Sequence, residues 1–97
     1  MKLSKEDIQK IKTVLELSPV DKAYIFGSYA RGDADMDSDI DILLELDYSQ
    51  HIGLAFVKIK NDLEDILKKP VDLLTEKSIS KHISSFIKSD KKLIYER

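Results

Sequence analysis

The chain predicts an α/β (α+β) fold, and three features of its 97 residues carry that expectation. Apolar side chains recur at helical spacing in well-separated stretches. Short aromatic or β-branched runs lie between them, and glycine or proline stands where one pattern gives way to the other. The length predicts one domain, residues 1–97, large enough to fold alone but without room for a separate acceptor-binding domain.

Taken in order, Ser4 is placed to cap a first helix, with Glu6 and Asp7 favouring its positive end. Ile8, Ile11 and Leu15 then share one face, and Pro19 marks the helix end because the residue before a proline avoids helical geometry. Ala23-Tyr24-Ile25-Phe26 predicts a strand running directly into Gly27. Residues 28–32 predict one helical turn and 33–38 an acidic loop. Asp39–Leu46 predicts a second strand, with Ile40, Ile42, Leu44 and Leu46 on one side and Asp39, Asp41, Leu43 and Glu45 on the other.

From about residue 52 to 68, apolar positions 52, 55, 56, 59, 63, 66 and 67 form one helical stripe. Leu54 and Val57 fall off it, leaving either apolar surface outside the core or packing under a neighbouring loop. Pro70 suits a strand start, followed by Val71–Thr75. Ile79, Ile83, Phe86 and Ile87 predict a further amphipathic helix. Leu93-Ile94-Tyr95 fits either a terminal strand or a last helical turn.

Composition narrows the function classes. Apolar residues make up 42% and charged residues 35%, a balance of folded soluble domains rather than disordered chains. No apolar run approaches the roughly 20 residues that span a bilayer, and the first residues lack a signal-peptide core, so the expected address is cytoplasmic. The absence of cysteine excludes disulfides and thiolate metal sites. Residues 1–47 carry six Lys/Arg against eleven Asp/Glu, whereas residues 48–97 carry ten against seven. Between Asp33 and Asp47 lie seven acidic side chains and no basic one, which disfavours direct nucleic-acid binding through that face. Alone, Asp33, Asp35 and Asp37 read as a solvated acidic loop.

The informative stretch is Gly27-Ser28-Tyr29-Ala30-Arg31-Gly32, followed by Ser38-Asp39-Ile40-Asp41 and later by Val71-Asp72-Leu73-Leu74. Gly27 and Gly32 permit backbone conformations that a Cβ obstructs, and Ser28 adds a hydroxyl beside amides suited to phosphate. Asp39 and Asp41, two apart on a predicted strand, face the same side, and Asp72 opens another strand. If those strands are neighbours, the three carboxylates converge on hard divalent metal, which takes oxygen ligands. Arg31 is placed to steady a phosphate or to pair with an aspartate.

Other phosphate and metal motifs fail. The glycine spacing begins a P-loop, but Asp33 and Ala34 replace its lysine and hydroxyl residue, and the dinucleotide fingerprint lacks its later glycines. A calcium loop starting at Asp33 would require glycine and glutamate where Ser38 and Leu44 stand. His51 and His82 are isolated from other ligand-type residues.

With these motifs the chain resembles the minimal nucleotidyltransferases of the DNA polymerase beta superfamily, closely over residues 23–75. The resemblance implies a mixed sheet flanked by helices. It also implies Mg²⁺, as two ions, on Asp39 and Asp41, with Asp72 completing the site and helping to activate an acceptor hydroxyl. Gly27 and Ser28 would hold the nucleotide phosphates. The small size is similar to the antitoxins of HEPN/MNT pairs, which implies AMP transfer from ATP to a tyrosine of a HEPN toxin. Two alternatives stand beside it: a binding module that neutralises its partner by occlusion, and nucleotidyl transfer to a small molecule.

Overall fold

In the computed structural model, which describes residues 2–78 and 87–97, a four-stranded sheet carries its helices mainly on one face. Helix α1, Lys5–Glu16, begins as expected at Ser4. The Ser4 hydroxyl accepts the Asp7 N–H at 3.0 Å and the Asp7 carboxylate accepts the Ser4 N–H at 3.4 Å, a reciprocal capping box. Ile11 and Leu15 are fully buried along its inner face.

Strand β1, Val20–Phe26, starts three residues before the expected Ala23 because Val20 pairs with Leu46 across a register shift. A single helical turn, α2, spans Ser28–Arg31. Strand β2 is Ile40–Leu46, so Asp39 lies just before it rather than inside it. Helix α3, Ala55–Leu67, starts later than residue 52 because Gly53 turns the chain at φ +44° and the Ala55 N–H bonds back to the Ile52 carbonyl at 2.7 Å. It ends at Lys68, whose left-handed φ of 58° lets its N–H reach the Glu64 carbonyl at 2.9 Å. Strand β3 is Val71–Thr75, as expected, and is followed by a short 3₁₀ turn at Glu76–Ser78.

Residues 87–90 are helical, while Ile79, Ile83, Phe86 and His82 lie outside the described residues. The terminal run forms strand β4, Lys92–Glu96, which decides between the two readings of Leu93-Ile94-Tyr95 in favour of a strand.

The strand order is β3-β2-β1-β4. The β1 strand is antiparallel to both β2 and β4, whereas β2 and β3 run parallel. A parallel pair needs a crossover, which α3 supplies. Ile11, Leu15, Ile59 and Leu63 pack from the two long helices against Ala23, Ile42 and Leu44 of the sheet. Leu43 alternates to the opposite face and is buried there; Ile87 is also buried, apart from the main core cluster. Leu54 is 83% exposed and Val57 52%, so both remain outside the core. Among the described residues no helix is long and apolar enough to cross a membrane.

Candidate functional site

Register brings the acidic side chains together. Asp41 faces Phe26 on β1 and Asp72 on β3. Side chains at paired positions of neighbouring strands stand on the same face, with strands about 4.8 Å apart. Two carboxylates separated by 31 positions in the chain therefore stand side by side, which is the strand adjacency the sequence left conditional. Asp39, exposed and two residues before Asp41, adds its charge from the mouth of the strand.

This crowding changes Asp41. Burial, then the charge of Asp72 and then that of Asp39 push its carboxyl up to about 6, while Arg31 pulls weakly the other way. Among the described residues, no three His, Cys, Asp or Glu side chains are grouped closely enough to hold a metal ion by themselves. The register pair of Asp41 and Asp72, with the charge of Asp39 near it, is the candidate site.

Gly27 adopts φ 71° and ψ −151°, a region that only glycine enters readily. A Cβ at this position would collide with Asp41 Oδ2 and lie 3.3 Å from Asp41 Cγ. The missing side chain is what admits the carboxylate. Beyond it, the N–H groups of Ala30 and Arg31 bond to the Gly27 carbonyl at 3.1 and 3.0 Å. Those of Gly32 and Asp33 return to the Ser28 carbonyl at 2.9 and 3.1 Å, with Gly32 left-handed at φ 87°. Tyr29 and Ala30 are buried and anchor the turn, while Ser28 is half-buried.

A family model described as a nucleotidyltransferase domain matches residues 8–94. The chain belongs to that family. A nucleotidyltransferase enzyme is also what its relatives are named. It is 42% identical over 94 residues to the Methanocaldococcus jannaschii protein named "Putative protein adenylyltransferase MJ0126", covering 94% of this chain and 92% of that one. It is 33% identical over 90 residues to protein adenylyltransferase MntA of Thermococcus cleftensis, covering 88% and 90%. Among solved structures, a chain of a toxin–antitoxin complex with AMP-PNP superposes with a TM-score of 0.76 at 25% identity, covering 93% of this chain and 73% of that one. The fold also matches a chain from the complex of tri-AMPylated Shewanella oneidensis HEPN toxin with MNT antitoxin, with a TM-score of 0.72 at 22% identity, covering 98% and 74%.

Within this nucleotidyltransferase the remaining sequence candidates divide. Arg31 takes the second of its two expected roles, pairing with aspartates, but with Asp33 (Nε to Oδ2, 3.1 Å) and Asp90 (Nη1 to Oδ2, 2.7 Å) rather than with Asp39, Asp41 or Asp72. Asp35 shapes the acidic loop. Its Oδ1 accepts the Asp37 N–H at 2.9 Å and the Ser38 hydroxyl at 3.2 Å, while the Ser38 N–H bonds to its carbonyl at 3.2 Å. His51 is exposed, with its ring beside Gly53.

Sequence reasoning missed Lys69. Its ammonium donates to the carbonyls of Met36 at 3.1 Å and Ser38 at 3.4 Å and lies 5.3 Å from the centre of the Tyr29 ring. It also missed the polar group beside the site on the same sheet face. There the Tyr24 hydroxyl donates to Glu45 at 2.7 Å, which with partial burial raises the phenol to about 12, and the Lys91 ammonium sits 4.5 Å over the ring. These partners are separated by 21 residues or more, and no local pattern announces them. Among the described residues, a surface cavity of about 420 Å³ between α1 and α3 and another of about 440 Å³ beside β4 include none of the candidate residues.

Proposed function

We propose that this nucleotidyltransferase, acting as one domain over residues 1–97, transfers AMP from ATP to a tyrosine of a HEPN-type toxin and so serves as its antitoxin. The observation that carries the reading is the register pair Asp41–Asp72, set directly behind the Gly27 turn. The similarity to MntA and to a toxin–antitoxin chain crystallised with AMP-PNP supports the choice of adenylyl transfer and of a protein acceptor.

The donor set fits Mg²⁺. It consists of hard carboxylate oxygens, and the burial and neighbouring charge that lift the Asp41 carboxyl are offset by an adjacent cation. Asp39, Asp41 and Asp72 would hold it, as two ions, with substrate phosphate oxygens and water completing the coordination. When bound, such ions neutralise charge on the phosphates and on the attacking and leaving oxygens. The protein's own groups do the rest. Gly27 leaves the backbone open to the phosphates, Ser28 offers its hydroxyl, and Arg31 offers its guanidinium to them. Asp72, exposed at the front of its strand, accepts the proton of the acceptor hydroxyl. The acceptor oxygen then bonds to the α-phosphorus as the bond to pyrophosphate breaks. A cytoplasmic address accords with a cysteine-free chain that draws on ATP.

Incubation with α-labelled ATP, Mg²⁺ and a HEPN partner should label the partner. Absence of labelling by the wild type, or equal labelling by Asp39→Asn/Asp41→Asn, would overturn the reading. Occlusion is the second reading, favoured by the exposed apolar residues Leu17 (90%), Leu54 (83%) and Val57. Full inhibition of the toxin by the same double variant would select it.

A further inference from the structure

We infer that Lys69 is a positioning residue, a clamp that sets the acidic loop and hence Asp39 against the Asp41–Asp72 pair. The inference rests on the nucleotidyl-transfer reading for the identity of the site, but it stands on its own geometry. Asp39 lies outside β2 and takes no position from the strand ladder. The segment before it carries Asp33, Asp35 and Asp37, whose mutual repulsion with Asp39 favours an open loop. Asp35 closes a local turn with Ser38, yet these bonds stay within the loop and do not locate it relative to the strands.

Buried Ala34 and the Arg31–Asp33 pair hold the start of the loop; two further links hold its end, next to Asp39. The Ile40 N–H bonds to the Pro70 carbonyl at 3.1 Å, and one residue earlier in the same connection Lys69 reaches back 33 positions to Met36 and 31 to Ser38. The Ser38 carbonyl belongs to the peptide that leads into Asp39, so this bond acts next to that residue. The same ammonium lies against Tyr29, the buried anchor of the turn that begins at Gly27. One cation thus touches the segment bearing Asp39 and the turn bearing Ser28, from the residue pair that leads into Asp72. The base of Lys69 is itself held. Lys68 is locked left-handed at the end of α3, and Glu64 of that helix accepts the Val71 N–H at 2.9 Å.

An ammonium with three donors suits two carbonyls and a ring face. Lys69→Met keeps the stem and removes the donors, whereas Lys69→Arg keeps the charge and the donors. The test measures three quantities on each variant: thermal unfolding, binding of Mn²⁺·AMP-PNP by electron paramagnetic resonance, and kcat and KM for ATP with a HEPN partner. Lys69→Met is expected to unfold within about 3 °C of wild type, to bind Mn²⁺·AMP-PNP about 10-fold more weakly, and to lose at least about 10-fold in kcat/KM for ATP. Lys69→Arg should recover most of both losses.

Wild-type Mn²⁺·AMP-PNP binding in Lys69→Met would overturn the clamp. So would a loss of binding that merely tracks a large fall in unfolding temperature and that arginine does not rescue. If the wild type labels no partner, the transfer reading fails, while the Mn²⁺·AMP-PNP measurement still decides the role of Lys69.

Discussion

Gly27 and Asp41 share one space: the point where a side chain at residue 27 would begin is taken up by the Asp41 carboxylate. Gly27 also holds a backbone conformation that costs other residues about 1–3 kcal/mol. Gly27→Ala therefore strains the turn and displaces the carboxylate together. The expected result is a fall in unfolding temperature of about 5 °C or more and a loss of labelling of at least 10-fold. Gly32→Ala is the comparison. Its φ of 87° is strained as well, but among the described residues its Cβ would meet the flexible side chain of Lys2, at 3.1 Å. It should lose stability while keeping labelling within about 2-fold at 25 °C.

The elevated carboxyl of Asp41 predicts a trade between stability and activity. Its folded value of about 6 exceeds the ordinary 3.8, so between these limits the native state binds more protons than the unfolded chain. Stability consequently falls as pH rises through this window, and the full cost is present above about pH 6. Discounted for partial exposure, that cost is about 1 kcal/mol. In EDTA at pH 7.5, Asp41→Asn should unfold about 4 °C above wild type, with the difference closing by pH 4. The same variant should abolish labelling. An unfolding temperature at or below wild type at pH 7.5 would show that burying the charged carboxylate beside Asp72 and Asp39 does not strain the fold.

Ser4 provides the opposite case. The capping box lies at the start of α1, includes none of the candidate site residues, and satisfies donors that the helix leaves unpaired. Ser4→Ala should cost about 1 kcal/mol, read in chemical denaturation, with kcat and KM at 25 °C unchanged. Reduced kcat in a fully folded Ser4→Ala protein would contradict this separation.

The parts of the fold that were legible are those written locally. Ser4 three residues before Asp7, the alternation from Ile40 to Leu46, and Pro70 ahead of an apolar run each specify an element without help from the rest of the chain. The Gly27 turn and the strand carrying Asp41 were legible for a related reason, whereas Asp39, expected inside that strand, lies just before it and takes no side from the strand period. What escaped depends on pairing across the fold. Leu93-Ile94-Tyr95 is too short for its period to decide, and it becomes a strand because β1 offers an edge. The early start of β1 is set by Leu46, and the late start of α3 by the turn at Gly53. Lys69 finds its partners more than thirty residues away, a separation no local pattern encodes.

Arg31 faces competition that nucleotide binding has to overcome. Its guanidinium is shared between Asp33 and Asp90, and those two bonds raise its already high basicity, so it stays charged at every accessible pH. The side chain is about half exposed, so each bond is weak enough to exchange for a phosphate oxygen. Arg31→Gln should therefore raise KM for ATP about 10-fold with kcat changed less than 3-fold, the pattern of lost ground-state binding. Asp90→Asn removes one competitor and should lower KM for ATP about 2-fold. If Asp90→Asn instead raises KM as Arg31→Gln does, Asp90 orients the guanidinium toward the nucleotide rather than competing with it.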